Sequence, residues 1–325
     1  MLANGSDPSM EKQKAALKAR TQAGNTFGAI AREFLAKRTA DGLAETTISK
    51  AAWLLTKLEP DLGRLPITEI TAPLLLGVLQ KIERSGTRET ARRLRSFAGR
   101  VFNYAVITER ASHNPATALQ RVLSTPVVRH HPAIVSEDEL GALLGAIEVY
   151  EGYPSTLGAL RLSPHLFQRP GEIRTMRWSD VNLNAGRWII PAAVMKMRRP
   201  HEVPLSRQVV AIIREMASTS GHSDFVFPAF NSPKRPISEN TVNQALRRLG
   251  YGGKMTAHGF RSTASSLLNE SGLWRPDIIE HALAHQDANA VRAIYNRTTY
   301  WAARVEMMAW WSDRLDALRA GSATA

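Results

Sequence analysis

There is no cysteine among the 325 residues, which excludes disulfides, thiolate nucleophiles and thiolate metal sites. No apolar run approaches the roughly 18 to 20 residues that would cross a bilayer. The opening Met1-Leu-Ala-Asn-Gly-Ser-Asp-Pro lacks a secretory pattern. Together these absences predict a cytoplasmic chain with no membrane partner. Acidic residues are also scarce, 29 against 42 Lys and Arg, a net charge of +13, and that imbalance points to a polyanion such as nucleic acid. The excess is uneven: residues 1–130 hold 20 basic and 11 acidic residues, a net of +9, and residues 131–325 hold the remaining 22 and 18, a net of +4. Apolar residues make up 44%, enough for a large core, and the length fits two domains.

Residues 1–25 read as a charged connector. From there the apolar spacing predicts four helices. Thr26 caps the first, which runs to Asp41-Gly42. The second covers about 46–58, with Ile48, Trp53, Leu54 and Leu58 inward, and breaks at Pro60 and Gly63. A third opens at Thr71, and the fourth, Thr87 to Ile107, buries Leu94, Phe97, Val101, Phe102 and Ala105. Its other face carries Arg88, Arg92, Arg93, Arg95 and Arg100 with only Glu89 nearby to pair with them, so phosphate contact gains on the usual reading of a plain solvated stripe. Residues 26–123 are thus expected to form a helical DNA-binding domain, and 124–133, with two prolines and no periodicity, a linker.

The second domain, 134–325, starts with a capping-box pattern at Ser136 and Glu139. Arg169 precedes Pro170 and Glu172 at the mouth of a helix, a position that favours anions. Two β-like runs, Arg187-Trp-Ile-Ile-Pro and His201-Glu-Val-Pro-Leu, flank a basic turn with Lys196, Arg198 and Arg199. A helix at about 206–218, an extended Phe225-Val-Phe-Pro and a helix from Ser238 to Leu249 follow. His258 and Arg261 stand three residues apart and share a face if their segment is helical. His285 and Tyr295 come next. Cations, imidazoles and a phenol at one point suit a phosphate attacked by a hydroxyl.

In this order Arg169, Lys196, His258, Arg261, His285 and Tyr295 resemble the tyrosine recombinase, or phage integrase, family, and most closely prophage and genomic-island integrases. The likeness rests on Arg169-Pro-Gly-Glu, Met195-Lys-x-Arg-Arg-Pro-His-x-Val-Pro-Leu, His258-Gly-Phe-Arg, Leu283-Ala-His and Tyr295-Asn. It covers roughly residues 26–320. It implies a mainly α fold with a small β-hairpin or sheet (α+β), in which a helical core-binding domain and a catalytic domain clamp DNA. It further implies no cofactor or metal, double-stranded attachment-site DNA as partner, a homotetramer on DNA and accessory bending or directionality proteins. Members usually carry an arm-binding domain upstream, so Met1 is expected to be a boundary or an alternative start. Phe167-Gln168 and the ten-residue step from His285 to Tyr295 depart from the usual pattern without removing a reacting group.

The resemblance implies that Tyr295 attacks phosphorus to form a 3′-phosphotyrosyl bond and frees a 5′-hydroxyl. Arg169 and Arg261 would clamp the phosphate, and His258 and His285 would add hydrogen bonds. His258 is the nearest acceptor for the phenol proton, and Lys196 the general acid for the leaving oxygen. Three rivals stand: zinc at His281 and His285, a strand-relaxing type IB topoisomerase, and a non-catalytic DNA-binding relative. Tyr300 competes as nucleophile. In the tail, Trp301, Val305, Met308, Trp311, Leu315 and Leu318 form a docking stripe. Met307 and Trp310 form a second strip expected to meet a neighbouring protomer.

Overall fold

A computed structural model describes residues 24–124, 131–195, 198–285 and 299–322. By internal packing the chain divides into two compact units, Met1–Val128 and Arg129–Ala325.

The first unit is helical: α1 (Phe27–Ala40), α2 (Glu45–Leu62), α3 (Ala72–Arg84) and α4 (Arg88–Ile107). Thr26 caps α1 by accepting the amide of Ala29 at 3.3 Å, and Thr71 caps α3 through Leu74 at 3.4 Å. Such caps satisfy amide groups that the first turn leaves unpaired. Phe27, Leu58, Leu75, Phe97 and Phe102 make the core, with Phe27 and Phe102 in ring contact at 5.7 Å. Two expectations need correction. Helix α2 does not break at Pro60 but carries it in its last turn and ends at Gly63; the proline costs one intrahelical bond, and the burial of Leu58 and Leu62 on either side holds the turn in place. Trp53 is exposed rather than inward, with the Lys57 ammonium 5.6 Å from its ring centroid.

The second unit contains α5 (Glu137–Glu148), α6 (Pro154–Leu166), α7 (Pro170–Arg174), β1 (Val181–Asn182), β2 (Arg187–Ile190), β3 (His201–Pro204), α8 (Arg207–Ser220), β4 (Pro228–Ala229), β5 (Ser232–Pro236), α9 (Thr241–Arg248), α10 (Gly259–Glu270), α11 (Pro276–Ala282) and α12 (Trp301–Ser322). The β-like runs do pair, as antiparallel β2 and β3 in the register Trp188 to Val203 and Ile190 to His201. Trp188, Ile190 and Val203 point into the core while Ile189 faces out, the alternation of a half-buried sheet. The short strand β1 and the β4–β5 pair were not anticipated; both are too short to leave a period in the sequence.

The tail departs most from expectation. Helix α12 packs along α5 and α6 of its own unit, and Met307, Met308, Trp311 and Leu315 are all buried there. Trp311 donates its indole N–H to the Pro164 carbonyl at 2.8 Å. Ser312 stands 3.1 Å from His165 and donates to the Ser206 hydroxyl at 2.8 Å. Of the second strip, Met307 is buried and Trp310 half-buried with its ring 6.2 Å from that of Trp274, whereas Val305 of the first stripe is exposed. Two apolar strips fit one chain because α12 lies between helices, with walls on more than one side. No described helix is long and apolar enough to cross a membrane.

Candidate active site

Arg261 sits in the first turn of α10 and is buried to 4% exposure. A buried guanidinium must commit its N–H groups to acceptors. Its Nη1 donates to the Phe167 carbonyl at 2.9 Å and its Nη2 to the Leu283 carbonyl at 2.7 Å. Nη2 also lies 3.1 Å from His285 Nε2. Burial, and then the charge of Arg169, lower its pKa to about 10, against the opposing pull of Glu172 and Glu280. It stays protonated at neutral pH, held in one orientation by three elements.

Arg169 is the N-cap of α7, as its place before Pro170 predicts. Its backbone N–H donates to Glu172 Oε2 at 2.9 Å, its Nη1 to Glu172 Oε1 at 2.8 Å and its Nη2 to the Ala284 carbonyl at 3.5 Å. Glu172 is buried at 3% exposure, so this carboxylate is committed to aiming the arginine. Adjacent carbonyls of one turn, Leu283 and Ala284, thus receive the two guanidinium groups.

That turn ends α11. The His285 N–H donates to the Glu280 carbonyl and the Ala284 N–H to the His281 carbonyl, both at 3.0 Å, with Ala284 in the left-handed region at φ 51°. This is a Schellman closure, and it delivers His285 to Arg261. Upstream, Phe167 ends α6 at φ 41°, a conformation that costs a non-glycine residue about 1–2 kcal/mol. Its ring is buried against Trp311 at 6.4 Å, and Gln168 Nε2 donates to the Ala282 carbonyl at 2.8 Å. The Phe167-Gln168 departure is therefore a joint: one residue supplies a carbonyl to Arg261, the other ties α6 to the end of α11.

His258 occupies the N-cap position of α10. Its pKa is lowered, first by burial and then by Arg261, His131, Arg169 and His285. The imidazole is therefore neutral at neutral pH. His131, at the end of the 124–133 segment, lies with its ring 4.9 Å from that of His258. His130 falls outside the described residues.

The structure thus brings together Arg169, His258, Arg261 and His285. Tyr295 and Lys196 lie outside the described residues. Sequence reasoning missed the roles of Glu172, Gln168, Glu280 and His131; only Glu172 carried a signal, as the third residue of a capping box around Arg169. The zinc reading gains nothing. His285 Nδ1 faces Glu280, His281 packs 6.0 Å from the rings of His201 and Tyr300, and no metal-holding group of three ligands occurs among the described residues. Tyr300, the rival nucleophile, has the Arg275 guanidinium 5.8 Å from its ring centroid.

Of the arginines expected to contact DNA, Arg88, Arg92, Arg93 and Arg100 are exposed on α4 and Arg95 is half-buried. Arg93 pairs with Glu89 at 2.8 Å, and Arg100 lies over the Phe97 ring at 5.9 Å. Arg198 and Arg199 are exposed on the turn between β2 and β3.

Comparison with known proteins places both units. Residues 27–122 match the phage integrase central domain, and residues 134–301 the phage integrase family. Prophage integrase IntA of Escherichia coli (strain K12) is 39% identical over 263 residues, 81% of this chain and 63% of that protein. The integrase of Enterobacteria phage P4 is 34% identical over 333 residues, 97% of this chain and 74% of that protein. The chain thus spans less than two thirds of IntA. Among solved structures, a lambda integrase tetramer bound to a Holliday junction superposes with a TM-score of 0.67 at 16% identity, covering 89% of this chain and 84% of that one. The Tn1549 transposon integrase in complex with transposon right-end DNA gives 0.65 at 16%, covering 87% and 98%. At those identities the two structures speak for the fold.

Proposed function

The chain belongs to the phage integrase family, the tyrosine recombinases, and on that premise we propose that it cuts and rejoins double-stranded DNA at attachment sites of a prophage or genomic island. The observation that carries the reading is the Arg261 guanidinium, buried and fixed by the Phe167 and Leu283 carbonyls beside Arg169, His258 and His285. A pair of guanidinium groups that cannot turn away suits the equatorial oxygens of a phosphodiester, where charge gathers as a nucleophile approaches.

The Tyr295 hydroxyl attacks phosphorus, and the P–O bond to the 5′-oxygen breaks. Neutral His258 accepts the phenol proton; Lys196 donates one to the leaving oxygen. The product is a 3′-phosphotyrosyl ester and a 5′-hydroxyl. A partner strand's 5′-hydroxyl reverses the step at another phosphorus with no net change in bond type, so the balance needs neither metal nor ATP. Arg88, Arg92, Arg93, Arg95, Arg100, Arg198 and Arg199 hold the DNA backbone. Residues 26–123 serve as the core-site domain, 124–133 as the linker and 134–325 as the catalytic domain. The working form is a cytoplasmic homotetramer on DNA, assisted by bending or directionality proteins; a single-strand relaxer would work without that tetramer.

Tyr295→Phe tests the assignment on a nicked suicide substrate. DNA binding persists and the denaturation-resistant covalent band disappears. A surviving band overturns Tyr295 as nucleophile, and its loss in Tyr300→Phe alone would move the role there.

A further inference from the structure

We propose that Glu280 is a positioning residue for the reaction, fixing the orientation and tautomer of His285; this rests on the reading of His285 as part of the phosphate site. Glu280 is the third residue from the end of α11 and does two things at once. Its backbone carbonyl accepts the His285 N–H at 3.0 Å, and its carboxylate Oε2 lies 2.7 Å from His285 Nδ1. The closure of the helix and the side-chain contact therefore depend on the same six-residue turn. The left-handed Ala284 keeps the imidazole folded back over the residue that begins it.

The other edge of the ring settles which nitrogen holds the proton. His285 Nε2 is 3.1 Å from Arg261 Nη2, and a guanidinium can only donate. Nε2 is therefore the acceptor, the neutral ring carries its proton on Nδ1, and that proton meets the Glu280 carboxylate. Without the carboxylate only the Arg261 contact opposes the other tautomer, and the ring can relieve that contact by turning away so that its Nε2–H no longer meets the Arg261 N–H. With it, the same edge always faces the site: as an acceptor beside Arg261 in the resting form, or as a donor to a phosphate oxygen once Nε2 gains a proton. The partner of the second ring nitrogen governs what a working histidine presents.

Glu280→Ala and Glu280→Gln separate this from a structural role, since the glutamine side-chain carbonyl can still accept from Nδ1–H. In full-length protein with 15N-labelled histidine, assigned by difference from His285→Ala, the His285 ring should show a protonated Nδ1 and a bare Nε2. Glu280→Gln should keep that pattern, and Glu280→Ala should lose it. Single-turnover cleavage of the suicide substrate should fall about 10- to 100-fold in Glu280→Ala, the usual cost of losing an outer partner, and recover most of the way in Glu280→Gln. DNA affinity should be unchanged in both, since the phosphate backbone contacts that dominate it are untouched. An Nε2-protonated wild-type ring, an unaltered ring in Glu280→Ala, or unaltered cleavage there overturns the proposal. If His285→Ala itself cleaves normally, the functional reading of the site fails instead, and the ring nitrogens still decide whether Glu280 sets the tautomer.

Discussion

On α4 the arginines stand in solvent: Arg88, Arg92, Arg93 and Arg100 are exposed, and Arg93 has an exposed Glu89 as partner. In the second unit Arg261 and Arg304 are 4% and 1% exposed, and both direct N–H groups at backbone carbonyls. Arg304 donates to the Glu202 carbonyl and, at 3.4 Å, to that of Thr299. The same side chain thus works in two ways. An exposed guanidinium acts through charge, which is additive and screened by salt. A buried one acts through geometry, because its neighbours hold it in one place and are left unpaired if it goes.

The sharpest way to break this contrast is Arg261→Lys, which keeps the charge and removes the fork. Cleavage should drop about 10²- to 10³-fold, the scale of losing one preorganised donor, while DNA binding changes little. A lysine enzyme within about tenfold of wild type would mean that charge alone suffices, and the distinction would collapse.

Acid should separate the units next. The first holds one histidine, the exposed His113. The second buries His165 and His201, whose pKa values burial lowers to about 4 and about 3; at His201 the Arg304 charge adds to the effect. Between those values and the ordinary 6.5, the unfolded chain binds protons that the folded one refuses. Stability is therefore full above about pH 6.5 and is lost as pH falls toward 4. The melting temperature of the second unit should drop by roughly 3–5 °C per pH unit for each such imidazole, with the first unit lagging. Coincident acid unfolding of both units, followed by separate probes, would contradict this.

Smallest is the effect on α4. Replacing Arg92 and Arg95 by alanine should lower the slope of log affinity against log salt by about 2, roughly 0.9 for each phosphate left without its arginine. Folding and the cleavage rate at saturating DNA should hold. An unchanged slope would show that this face looks away from the DNA backbone.

Helices with strong caps and long apolar stripes were legible residue by residue, because a period of 3.6 and a capping hydroxyl are local facts. Thr26, Thr71 and Ser136 cap where their spacing predicts, and Arg169 opens its helix beside Pro170. Trp53 and the tail were misread because periodicity tells which residues share a face and not how many walls surround it. The single indole of Trp53 found no wall, while α12 found enough to bury Met307, Met308, Trp311 and Leu315.

By itself the sequence determined the helical classes, the basic imbalance and the order of the candidate site residues, since these depend on composition and near neighbours. Tertiary structure alone decided which partners aim them. Glu172 on Arg169, the Phe167 and Leu283 carbonyls on Arg261, and His131 against His258 join residues that only the fold or a turn brings face to face. The reason is that a hydrogen bond needs its atoms within about 3 Å and in line, a condition that linear order cannot express for residues such as Arg261 and Phe167, 94 positions apart.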